Sequence, residues 1–434
     1  MLRIRTWYYF RLALIFESGL IGYITGLVIA GFRYILSKLD VLRRQLYETL
    51  LEVSTNWTIV WVVAVALIGL FLGWAGKARP MIKGGGIPQI KMPQFRNPSL
   101  DWLIDMPLKF LSTMLGLGAG LSLGKCGPGV QIGAYIGKGI LSIFPRSDSE
   151  RDALITGSAA AGFAAIFNAP VSGILFVVEE LRMPLSPLFL VCAMSAATVA
   201  DLTAAYYLKS GPLFDFTHIN PLTIQLIPWV IVLGVICALI GDLFKRSLYL
   251  SLNLYDQCRI HPLFRPIIPL VVSVIFGLLC FDTTGGGYEL IMSLTLKERT
   301  VGLICVLLVG KILFTALCVG SGTPGGIFFP LLACGALAGN GLGKILYIIG
   351  IATEPQALNF MILGIAAFFT AVIKAPLTGI ILILEMSGTV NHLGSLVPVC
   401  LTSFITSELI VSRSVNEVLL ERILKQKLMH TDNL

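Results

Sequence analysis

Three short stretches rich in glycine and proline have the residue types and spacing for chemistry: GGGIPQ from Gly84 to Gln89, GKCGPG from Gly124 to Gly129, and GGIFFP from Gly325 to Pro330. Each reads as a turn that opens a helix. The first turn of a helix presents unpaired backbone N–H groups and the positive end of the helix dipole, and together these suit an anion. Glycine lets the backbone come close to the ion. Proline fits the first helical turn, where its missing N–H costs nothing. Partial charges hold an anion without trapping it, which is what transport requires. A single turn of this kind reads better as an ordinary break between packed helices; three turns, two of them in corresponding positions, reverse that and favour an anion site.

The second feature is a repeat. APVSGILFVVEE begins at Ala169 and APLTGIILILEM at Ala375, an offset of 206 residues, which matches Glu179 with Glu385. GKCGPG lies upstream of the first copy and GSGTPGG, from Gly320, upstream of the second. The chain therefore divides into two related halves meeting near 210–222. Paired interruptions in two halves of a membrane chain point to a binding site at the repeat interface. A carboxyl in such a chain is costly and so a functional candidate. Glu180 is a candidate for proton transfer, whereas Glu179 and Glu385, at similar helix ends, suit a structural ion pair. Two readings stand for Lys311 and Lys374: neutralising such carboxylates, or snorkelling to an interface.

These features need elements to hold them, and the composition says which kind. Of 434 residues, 56% are hydrophobic and 13% charged, against roughly 25% charged in a soluble domain. The chain is an all-α integral membrane protein. Apolar segments lie near 12–37, 57–75, 108–123, 187–208, 222–244, 266–281, 300–319, 327–350, 357–386 and 394–411. Several fall short of the about 20 residues a clean span needs, and Gly or Pro interrupts many. Broken helices are tolerated in a membrane only where the freed backbone is buried or lines a cavity, so a transport pathway fits better than a simple anchor. The net charge of +8 reflects cytoplasmic flanks more readily than nucleic acid binding, by the positive-inside rule. Arg3, Arg5 and Arg11 precede the first apolar stretch; Arg413, Arg422, Lys425 and Lys427 follow the last. Both termini are then expected on the cytoplasmic side, with no removable signal peptide and no separate domain after Val411. The expected repeats are 1–215, with an N-terminal cytoplasmic segment, and 216–434, with a short C-terminal tail. Cysteines such as Cys192, Cys237, Cys305 and Cys334 read as buried small apolar residues. No CxxC or other metal spacing occurs, so no metal or other cofactor is expected. His218, His261, His392 and His430 form no HExxH pattern and neighbour no GxSG-type serine, so an enzyme is not expected.

In this order, the three turns resemble the GSGIP-like, GREGP-like and GGxFxP-like regions of the CLC family of chloride channels and proton-coupled anion exchangers. The Ala-Pro/Glu repeat and the C-terminal SVNEVLLERIL from Ser414 extend the resemblance over nearly the whole chain. It implies a fold of two inverted-topology repeats with many tilted and broken helices. It also implies a homodimer in a bacterial inner membrane, with chloride or another small anion as substrate in a pore of its own in each subunit. Residues implied at the anion are Gly85, Gly86, Ile87, Cys126, Gly127, Ile327, Phe328 and Asn416. Three of these depart from the family. Gly85 stands where a serine hydroxyl usually helps hold the anion, Asn416 aligns with a tyrosine, and Cys126 occupies the place of the gating glutamate. For Asn416 a solvated loop is the competing reading. A thiol has an ordinary pKa of about 8.5 against about 4.3 for glutamate. Neutral at pH 7, Cys126 would neither plug the pore with a charge nor pass protons inward. The expectation is therefore a passive chloride channel without proton coupling. The alternative is a proton-coupled antiporter using Glu180, which matches the inner proton-transfer glutamate of exchangers; a non-transporting scaffold is a further rival.

Overall fold

The computed structural model describes residues 2–52, 55–96, 100–143, 146–214, 216, 219, 221–258, 260–411 and 413–431. Residues 215 and 218 lie outside these, as do the side chains of Arg3, Arg5, Arg11, Lys427 and His430. The first half contains α1 (Leu2–Glu52), α2 (Thr55–Ala78), α3 (Ile87–Lys91), α4 (Pro93–Arg96), α5 (Trp102–Gly118), α6 (Cys126–Ile143), α7 (Asp148–Phe167), α8 (Pro170–Glu179) and α9 (Pro187–Leu208). The second contains α10 (Ile227–Gln257), α11 (Ile267–Leu279), α12 (Tyr288–Leu296), α13 (Val301–Gly320), α14 (Phe328–Ile348), α15 (Glu354–Ile373), α16 (Pro376–Ser387), α17 (Leu393–Leu409) and α18 (Val415–Thr431). Among the described residues, seven helices are long and apolar enough to cross a membrane, while α8, α11, α16 and α17 are apolar but shorter. The chain is an all-α membrane protein of two inverted repeats. Its outer helices turn apolar side chains outward: on α13, Val306 is 67% and Leu313 60% exposed. Cys305 lies on the same helix and is exposed, unlike the buried Cys192, Cys237 and Cys334, because lipid accepts an apolar side chain as readily as a core does.

The sequence repeat has a mechanical meaning. Pro170 and Pro376 occupy the first turns of α8 and α16, where proline is at home. The Glu385 carboxylate, near the end of α16, accepts from Val171 N at 3.0 Å, Ser172 N at 2.8 Å and Ser172 Oγ at 2.5 Å. Glu179, at the end of α8, accepts from Leu377 N at 3.1 Å, Thr378 N at 2.7 Å and Thr378 Oγ1 at 2.6 Å. Each helix thus caps the other with a carboxylate at a positive helix end. The structural role expected for these two glutamates is realised by capping, not by ion pairs.

Matching buried cations brace the helices before each copy. Arg33 on α1 donates to Ala165 O at 2.7 Å and Asn168 Oδ1 at 2.6 Å, and Lys245 on α10 donates to Ala371 O at 2.9 Å. Asn168 and Lys374, the left-handed residues that end α7 and α15, also correspond. Lys374 reaches Glu408 at 2.8 Å. The apolar run 357–386 divides there into α15 and α16, because Pro376 carries no N–H with which to continue α15.

Candidate anion pathway

The three glycine turns meet at the backbone. Gly124 N donates to Gly326 O at 2.5 Å and Gly326 N to Gly124 O at 2.7 Å, an isolated antiparallel bridge joining the second and third turns. Gly325 N donates to Gly84 O at 3.0 Å, which ties in the first turn. A Cβ on Gly127 would lie 2.4 Å from the Gly85 carbonyl oxygen, so only glycine permits the approach. Gly86, with φ 92°, needs the left-handed conformation that glycine adopts without cost. From this knot start α3 at Ile87, α6 at Cys126 and α14 at Phe328.

Two lysines anchor the loops behind the knot. Lys109, on α5 and fully buried, donates to Ile82 O at 2.8 Å and Gly84 O at 2.6 Å. In the other repeat Lys311, also fully buried, donates to Thr283 O at 3.1 Å and Gly285 O at 2.7 Å. Lys311 therefore neither neutralises a carboxylate nor snorkels; its charge is spent on loop carbonyls. Gln131 on α6 adds a bond to Met81 O at 2.8 Å.

Two separate cavities flank the knot. The larger, about 200 Å³, is lined by Gly85, Ile87, Ile327, Phe328 and Asn416, and farther along by Lys83, Arg265, Arg422 and Asp256. Asn416 is 3% exposed, which rules out the solvated loop. The smaller cavity, about 40 Å³, is lined by Lys125, Phe329, Arg43, Asp282 and Tyr288 among others. Gly86, Cys126 and Gly127 lie on neither wall. Cys126 is 0% exposed. Phe328 is wedged edge-on against Phe163, Phe176 and Phe369, with ring centroids 5.4–6.2 Å away.

Glu180 stands one side chain back from the larger cavity. It ends α8, is 4% exposed, and accepts from Lys91 Nζ at 2.7 Å. Asn416, on the cavity wall, interacts with the same carboxyl. Arg182 pairs with Glu417 next to this group. Lys91 is the last residue of α3, so the pair ties the first glycine turn to the repeat helix that ends in Glu180. Sequence reasoning missed Lys91 and Lys109. Both follow closely on recognisable features, but nothing in their spacing names a partner 89 residues away in one case and loop carbonyls in the other.

Comparison with known proteins agrees with this geometry. The profile of the voltage gated chloride channel family matches residues 68–408. The H(+)/Cl(-) exchange transporter ClcA of Salmonella paratyphi A is 29% identical over 431 residues, covering 96% of this chain and 90% of the relative. The ClcA of Salmonella agona is similar to the same extent. Among solved structures, a slow cyanobacterial Cl-/H+ antiporter superposes with TM-score 0.89 at 25% identity, covering 95% of this chain and 98% of that one. A CLC-type fluoride/proton antiporter superposes with TM-score 0.76 at 24% identity, covering 92% and 96%. These findings overturn the expectation of a passive channel without proton coupling, because the relatives are exchangers. The physical fault lay in equating a missing negative charge with an open path: Cys126 is fully buried and lines neither cavity, so its neutrality does not by itself open one. Three joined glycine turns, reciprocal carboxylate caps and the matching profile place this chain in the CLC family of chloride channels and proton-coupled anion exchangers.

Proposed function

We propose that the protein exchanges chloride for protons across a membrane. The observation that carries this is the buried Lys91–Glu180 pair, held at 2.7 Å beside Asn416 on the wall of the larger cavity. A carboxyl buried at membrane depth is costly unless it works, and paired with an ammonium it is a proton site with a built-in counter-charge. Of the residues implied at the anion, Gly85, Ile87, Ile327, Phe328 and Asn416 line the larger cavity and hold the anion there, through backbone N–H groups at the starts of α3 and α14 and the Asn416 side chain; Gly86, Cys126 and Gly127 line neither cavity. The named activities of the ClcA relatives and of the cyanobacterial antiporter support the same reading.

The repeats divide at 215/216. The chain works as a homodimer with one pathway per subunit, in a bacterial inner membrane with both termini cytoplasmic. Family resemblance and bacterial relatives support this arrangement, and the exposed apolar faces of α8 and α16, with Val171 50% and Leu377 56% exposed, offer surface for a partner.

Reconstituted protein tests the function. An imposed chloride gradient should drive protons uphill into vesicles, and Glu180→Gln should remove the proton movement while chloride still crosses. Undiminished proton movement through Glu180→Gln would overturn the assignment of Glu180.

A further inference from the structure

Exchange needs a proton-handling group facing each cavity, and Glu180 serves only the larger. In the smaller, every carboxylate is engaged by an arginine. Asp40 meets Arg43 at 2.9 Å, Asp282 meets Arg299 at 2.7 Å, and Glu289 meets Arg44 at 3.4 Å. The Tyr288 hydroxyl donates to Leu213 O at 3.4 Å. Cys126 is fully buried and reaches neither cavity.

Lys125 differs from all of these. Its side chain lines the smaller cavity, and among the described residues its ammonium has neither an ion-pair partner nor a hydrogen-bond partner. Its Nζ lies 4.9 Å from the Phe329 ring centroid. Phe329 follows Phe328, which lines the other cavity, so Lys125 stands against the wall between the two. The charges around it are Arg33, Asp40 and Arg43 on α1, Asp282, and Glu289 on α12; Tyr288 and Cys126 are the neutral titratable neighbours. Lysine, unlike arginine, exchanges its proton in proteins when its surroundings disfavour the charge.

Building on the exchanger reading above, we infer that Lys125 is the group that transfers protons between the barrier and the water of the smaller cavity. The step is a proton transfer: the ammonium N–H bond breaks as cavity water forms an O–H bond and becomes hydronium, and the resulting amine forms a new N–H bond as hydronium on the barrier side, protonated by the Glu180 carboxylic acid, loses its proton to it. No oxidant or reductant takes part.

Lys125→Arg, Lys125→Met and Lys125→His in proteoliposomes test this, with chloride and proton fluxes recorded together. Arginine keeps the positive charge but not an exchangeable proton. Lys125→Arg and Lys125→Met should still pass chloride while proton flux falls by about 100-fold. Lys125→His should restore proton flux with its pH optimum moved down, because imidazole titrates near pH 6.5. Wild-type proton flux in Lys125→Arg or Lys125→Met would overturn the inference. Loss of chloride flux together with proton flux in all three variants would also overturn it, by making Lys125 a structural or anion-holding residue. Should the unaltered protein move no protons uphill, the exchanger reading itself falls, and this inference with it.

Discussion

One methyl group tests how closely the glycine turns are joined. Gly127→Ala would set a Cβ 2.4 Å from the Gly85 carbonyl oxygen, and that atom is backbone that no rotamer change can move. The expected outcome is loss of anion transport, measured as chloride efflux, and lowered thermal stability. Lys91→Gln makes a second residue-scale prediction. It leaves Glu180 buried without its counter-charge, which should slow proton flux and move its pH profile, with chloride flux less affected; Lys91→Arg, which keeps the charge, should retain more of the proton flux. Breaking a buried pair from one side costs about 3–5 kcal/mol, so the same variant should also melt earlier. At this scale the sequence was most legible where backbone geometry demands particular residue types, as in the three glycine turns. It was least legible where a charged side chain finds a distant partner. The place of Asn416 was suggested by alignment, but the Lys91–Glu180 pair spans 89 residues and is visible only once α3 and α8 are packed.

Helices α8 and α16 stabilise one another end to end, and their glutamates should be measurable as caps. Glu385→Ala or Glu179→Ala should each lower stability by about 1–2 kcal/mol, read as an earlier thermal transition in detergent. Lys109→Met should cost about 1–3 kcal/mol, because the Ile82 carbonyl loses its lysine donor while the Gly84 carbonyl keeps only Gly325 N. The repeat was legible because the caps need the same residue types at the same positions: Pro in the first turn, Ser or Thr with its hydroxyl beside it, and Glu at the far end. Helices α6 and α7 were not legible as apolar segments. Their sequence is rich in Gly, Ala and Ser, since α7 is buried along most of its length and packs closely on α6 and α9. Small residues that let helices approach look weakly hydrophobic in isolation. Cys305 erred in the other direction, an apolar position that faces outward on a lipid-facing helix.

Across the whole molecule, two cavities are held apart by a wall built from both repeats, and the proton groups assigned to them stand on opposite sides. Glu180 and its lysine lie by the larger cavity and Lys125 lines the smaller. The position of the family's gating glutamate is a buried thiol, so the proposed exchange would have to run without a carboxylate at residue 126. Composition and apolar length disclosed the membrane and the helical class. Coupling was misread because a single substitution was weighed without the packing around it. The most direct test of proton-coupled chloride exchange is the reversal potential of the reconstituted protein, measured while chloride is held fixed and pH is changed on one side. An exchanger's reversal potential moves with the pH gradient, and that movement is the expected result. A reversal potential that follows chloride alone, unmoved by pH, would contradict the account and return the protein to passive conduction.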